Sequence, residues 1–173
     1  YPGFENSECP DMEAYSKALN AGQYPLSVLA MNGKASELYR SGIYGNTMTS
    51  NPKALDVATA VIDSLDPEIR KNIRDRGKEL TDKLKKLENE FGNDITNVQG
   101  TGLLSSCELS DKFKCCGSES TEEYLRINGL GVIHGGVNSL RYTPYFKITS
   151  EEVDLIVELT KDAILNGPKA QNI

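Results

Sequence analysis

The sequence holds a single histidine in 173 residues, no block of basic residues, and no apolar run near the roughly 18 residues that a membrane-crossing helix needs. Each shortage removes a class of function. One histidine and four cysteines (Cys9, Cys107, Cys115 and Cys116) without zinc spacing supply no metal site. The charge balance of 19 basic against 25 acidic residues, net −6, lacks the positive surface that grips a phosphate backbone, so no nucleic-acid partner is expected. With no apolar span and no signal-peptide pattern in the first residues, the chain reads as soluble, with no membrane partner. The even number of cysteines permits disulfides, but reduced thiols are the expectation in a cytosolic setting.

What is present is ordinary globular composition, 38% hydrophobic and 25% charged, at a length that suits one domain or two small ones. Both helix and strand signals occur along it. Pro25 to Met31 is short, apolar and partly β-branched, which predicts a buried strand. Asn51 as cap with Pro52 after it opens a helix, over which Leu55, Ala58, Val61, Ile62 and Leu65 recur at helical spacing. Asp66 and Pro67 open a second helix with one face marked by Ile69, Ile73, Leu80, Leu84, Leu87 and Phe91. Its alternating charges read as a solvated face with i,i+4 pairs. Ile95 to Leu109 reads as two strands about a glycine turn. Ser120 with Glu123, and Thr149 with Glu152, are capping boxes for a short and a final amphipathic helix, the latter stopped by Asn166, Gly167 and Pro168. Between those helices, Gly131 to His134 and Ser139 to Thr143 predict two short strands. His134 reads as a satisfied loop histidine.

Three stretches carry chemistry. From Pro10 to Ser27 an apolar and acidic segment runs into Lys17, and Asn20, Gly22 and Pro25 follow as turn formers. Lys17 is therefore expected where a strand gives way to a loop, a place that displays reactive groups. Taken alone, it could equally be a surface ammonium. From Tyr44 to Pro52, hydroxyls and backbone N–H groups gather just before a helix N-terminus, the chemistry of an anion site; the plain alternative is a capped helix after a hydroxyl-rich turn. Near the end, Arg141 offers a planar fork suited to a carboxylate, in a substrate or in a structural ion pair.

Pro10, Asp11, Ser16, Lys17, Ala18, Leu19, Gly22, Pro25 and Leu26 resemble, in order, the cofactor-lysine segment of the class III aminotransferases, fold type I enzymes that use pyridoxal 5'-phosphate. Gly45, Thr47, Asn51 and Pro52 resemble the family's phosphate-contacting stretch, with Met48, Thr49 and Ser50 as departures. Val98, Gly100, Gly102 and Leu103 match the glycine element that starts its C-terminal domain, although Gln99 stands where an arginine is usual. Leu140, Arg141 and Pro144, followed by Thr149 and acidic residues, resemble the closing signature.

This resemblance implies an α/β fold, the C-terminal part of a fold type I enzyme. Residues 1–65 would be the end of the large cofactor-binding domain with a connecting helix, and residues 66–173 the small C-terminal domain. It implies that Lys17 is the catalytic residue, forming a Schiff base with the cofactor from a partly desolvated pocket, that Thr47 binds the cofactor phosphate of a neighbouring subunit, and that Arg141 binds a substrate carboxylate. The implied reaction moves an amino group from an ω-amino donor such as ornithine, acetylornithine, lysine or 4-aminobutyrate to a 2-oxo acid. The implied partners are an N-terminal portion of the same enzyme, without which the chain is inactive, and a second copy in a homodimer. The expected location is cytoplasmic, with an organelle left open. Another member of the superfamily, such as an aminomutase, and a non-catalytic α/β assembly module are the alternatives.

Overall fold

A computed structural model describes residues 8–43, 45, 47 and 49–170. The chain divides into two compact units, one ending at Pro67 and one beginning at Glu68.

In the first unit, β1 (Met12–Ser16) and β2 (Ser27–Met31) form an antiparallel ribbon in which Met12 faces Met31 and Ser16 faces Ser27. A single 3-10 turn, Lys17–Asn20, leads out of β1. Asn20 is fully buried, and its amide donates to the Tyr24 carbonyl at 3.0 Å, which ties the turn to the connection behind it. Asn32 closes the far end of the ribbon: its side chain caps the short helix α1 (Gly33–Ser36), and its amide donates to Asp11 at 2.6 Å. Helix α2 (Pro52–Ser64) starts where Asn51 and Pro52 predict, with the Asn51 side chain accepting from the Lys53 N–H at 3.1 Å. Its buried face, Ala54 and Ala58, packs against the lysine turn.

The expectation for the strand fails in this unit, for a reason that the helix shares. The strand predicted to be buried is exposed along its whole length, Leu29 at 53%, and on α2 the predicted apolar positions Leu55 and Ile62 are exposed as well. A two-stranded ribbon with one helix has no second layer to cover these side chains.

The second unit is a four-stranded antiparallel sheet with helices packed on one face. Strands β3 (Ile95–Thr101), β4 (Leu104–Leu109), β5 (Ile133–Gly135) and β6 (Ser139–Tyr142) lie in the order β3-β4-β6-β5. The helices are α3 (Pro67–Phe91), α4 (Thr121–Ile127) and α5 (Ser150–Asn166). The period of two in β4 puts Ser105, Cys107 and Leu109 inward, where they meet Leu140 and Tyr142 of β6. Leu80, Leu84 and Leu87 of α3 and Val153, Ile156, Ala163 and Ile164 of α5 complete this core. α3 approaches the β3–β4 turn so closely that a Cβ on Gly77 would lie 2.0 Å from the Gly102 carbonyl oxygen. The charged face of α3 carries the predicted pairs, Lys71 with Asp75 and Lys78 with Asp82. Lys83 goes further and bridges Glu79 to Asp154 at the start of α5.

Thr149 and Glu152 form the reciprocal capping box. At α4 only half of the predicted box exists: Ser120 accepts from the Glu123 N–H at 3.2 Å, but the Glu123 carboxylate takes the N–H of Glu119 instead. All four cysteines are free thiols, and burial pushes Cys107 up to about 12 and Cys115 up to about 11. His134 does have a partner, the Glu122 carboxylate at 2.8 Å.

Candidate active site

Lys17 is the first residue after β1. Ser16 is still extended (φ −154°, ψ −175°), and Lys17 itself has φ 54°. A side chain at positive φ brings its Cβ close to its own backbone, at a cost of order 1–3 kcal/mol that the surroundings must offset. The residues holding it there are the paired strand on one side and the buried, hydrogen-bonded Asn20 on the other. The strand-to-loop position read from the turn formers is therefore the one adopted. The expected desolvation is absent: Lys17 is exposed, and its amine makes no hydrogen bond or ion pair with a described residue. Burial of this amine would need atoms beyond those described.

Thr47 lies in a turn and is exposed, ahead of Ser50 at φ 60° and the Asn51 cap. No described residue bonds its hydroxyl. Tyr44, Asn46 and Met48 lie outside the described residues.

Arg141 belongs to the second unit, on the solvent face of β6. In register it sits between Ser106 of β4 and Ile133 of β5, and Ser106 in turn faces Gln99 of β3. Its guanidinium rests on Gly135: a Cβ built there would lie 2.5 Å from Nη2, so the neighbour must be glycine for the arginine to take this pose. Among the described residues no carboxylate pairs with Arg141. The structural ion pair that a lone arginine suggests is thus not made among the described residues. Arg141 instead lines an open groove of about 520 Å³ with Gln99, Gly100, Thr101, Leu104 and Ser106.

The sequence motifs do not reveal two of these features. Ser106 carries no motif and is found only through strand register. Gly135 reads as one more turn glycine until the guanidinium above it is seen.

A sequence model described as Aminotransferase class-III matches residues 5–164. An ornithine aminotransferase from Oceanobacillus iheyensis is 30% identical over 166 residues, 94% of this chain and 39% of that relative. An acetylornithine aminotransferase from Nostoc is 27% identical over 156 residues, 90% of this chain and 36% of the relative. Among solved structures, an acetylornithine aminotransferase from Elizabethkingia anophelis superposes with a TM-score of 0.78 at 29% identity, over 91% of this chain and 41% of that one. An ornithine aminotransferase from Plasmodium yoelii gives 0.80 at 25%, also over 91% and 41%. The chain thus spans about two-fifths of the length of the relatives it matches. It belongs to the class III aminotransferases, with the α/β fold of the C-terminal portion of a fold type I enzyme.

Proposed function

We propose that this chain contributes Lys17, Thr47 and Arg141 to the active site of an aminotransferase that moves an amino group from an ω-amino donor to a 2-oxo acid. Ornithine and acetylornithine are the donors favoured by the names of its relatives, and lysine and 4-aminobutyrate are of the same chemical type. The observation that carries the reading is Lys17 itself, an amine with no partner among the described residues, held at positive φ at the end of a strand. Strain of that kind is retained where a side chain must be displayed.

Pyridoxal 5'-phosphate is the cofactor this reading requires, and the residues present fit two parts of it: a primary amine for its aldehyde and a hydroxyl for its phosphate. When bound, it supplies the electron sink that makes a substrate C–H acidic. Lys17 would hold the cofactor through Nζ, and the same atom, when free, would take and return the substrate proton. Thr47 would donate its hydroxyl to a phosphate oxygen of the cofactor of the neighbouring subunit in a homodimer. Arg141 would donate two parallel N–H bonds to the substrate carboxylate and so orient the substrate.

The residues that pair with the pyridine nitrogen and stack on the ring would come from an N-terminal portion of the same enzyme. The same portion would cover the exposed ribbon and α2 face. Among the described residues no helix is long and apolar enough to cross a membrane, and a cytoplasmic or organellar site of action is compatible with the reading.

The test is chemical. Borohydride reduction of the cofactor-loaded full-length enzyme should bleach its near-visible band and leave a phosphopyridoxyl group on the peptide containing Lys17. A band and adduct that survive Lys17→Ala would show that another residue holds the cofactor.

A further inference from the structure

Gln99, Ser106 and Arg141 form one row across three adjacent strands: Gln99 faces Ser106, and Ser106 faces Arg141. Residues directly opposed in an antiparallel sheet project from the same face. Two strand spacings separate the outer members by about 10 Å. The row is therefore long, short, long, with a notch above the Ser106 hydroxyl between the side chains of Gln99 and Arg141, the guanidinium of the latter leaning toward Gly135 of β5. All three line the groove of about 520 Å³, and Thr101 and Leu104 line its end. Among the described residues no acidic side chain lines it. Glu108, one row along on the same face, is engaged by the Asn97 amide at 2.5 Å. None of the three side chains in the row has a hydrogen bond or ion pair with a described residue. The groove is therefore lined by one positively charged side chain and two neutral donors that no described residue satisfies.

We propose that Gln99 and Ser106 are specificity-determining residues that complete a site for a single carboxylate with Arg141. This rests on the reading of Arg141 as the substrate-carboxylate residue and extends it to the side of the carboxylate that the arginine does not reach. Arg141 pairs with one edge of the carboxylate, while Gln99 Nε2–H and the Ser106 hydroxyl donate to the remaining lone pairs. Because Gln99 is neutral, the site balances one negative charge, and the amide selects by hydrogen bonding where a second cation would select by charge. Gln99 and Arg141 are both exposed, so substitution at position 99 removes no core contact.

The experiment measures binding of butyrate and glutarate to the full-length enzyme by calorimetry, with KM for a 2-oxo acid alongside, for Gln99→Leu, Gln99→Glu, Ser106→Leu and Arg141→Gln. Gln99→Leu should weaken butyrate about threefold or more, the size of one neutral hydrogen bond. Gln99→Glu should weaken it tenfold or more, since the new carboxylate competes for Arg141, and Ser106→Leu should match it by filling the notch. Melting temperatures should stay within a few degrees. Carboxylate affinity unchanged within twofold in Gln99→Glu, but lost in Arg141→Gln, would overturn this inference and leave the reading of Arg141 standing. Affinity unchanged in Arg141→Gln would overturn both.

Discussion

Arg141 owes its pose to a neighbour with no side chain. Its guanidinium occupies the space that a Cβ on Gly135 would need, 2.5 Å from Nη2. Gly135→Ala should therefore leave the strand intact and move the guanidinium, since the end of a long side chain yields before a paired backbone does. In the full-length enzyme the expected outcome is a KM for the 2-oxo acid raised several-fold, with kcat and melting temperature little changed. Unchanged steady-state kinetics would mean that the guanidinium does not bind substrate from this position. Lys17 is the contrasting residue: its place at the end of a strand is legible from the turn formers after it, but its positive φ is not. That angle depends on Asn20 being buried and bonded to Tyr24, which is a packing outcome.

At the scale of elements, α3 shows how a long helix is specified and where specification needs contact. Its start at Pro67, its apolar face and its end at Phe91 follow from capping and periodicity. Gly77 does not: in an exposed helix interior, glycine to alanine gains about 1 kcal/mol. Here the added methyl would sit 2.0 Å from the Gly102 carbonyl oxygen, and overpacking of this sort costs about 1–3 kcal/mol or more. Gly77→Ala is expected to lower the melting temperature of the chain by several degrees, while Gly131→Ala, which meets nothing within 4 Å, should leave it unchanged. A Gly77→Ala protein as stable as the parent would show that α3 and the β3–β4 turn are not in contact. The exposed β2 makes the opposite point: a short apolar run predicts a strand but not its cover, because burial depends on a second layer.

For the whole molecule, acid is expected to act through carboxylates held by cations. Burial pushes Glu79 up, but hydrogen bonds from Lys83 and Ser150 and the nearby charges of Lys83 and Arg76 outweigh it and leave the carboxyl below its usual range. Lys112 first, then Ser110, do the same for Asp94 against a smaller cost of burial. A carboxylate with a lowered folded value contributes stability that is complete above its unfolded pKa, roughly 4, and is lost as pH falls through the folded value. Urea midpoints of the chain should therefore be flat from pH 7 to about pH 5 and fall below about pH 4. Glu79→Gln should flatten part of that fall, and an unaltered slope would remove Glu79 from the account. At the same scale, the chain alone should show no transamination, with activity appearing when the N-terminal portion is supplied. Turnover by the isolated chain would defeat the division of the site proposed above.

Local order in the sequence determined which segments become helices and strands, where caps and glycines end them, and the sequence of motifs that marks a class III aminotransferase. Those features depend on a residue and its near neighbours along the chain. Tertiary structure alone decided that Gln99, Ser106 and Arg141 share one row, that Gly135 carries the guanidinium, and that β2 and the outer face of α2 stand exposed. The physical reason is that register and burial depend on which strand or layer lies alongside, and residues 35 or more positions apart become neighbours only when β3, β4 and β6 have paired.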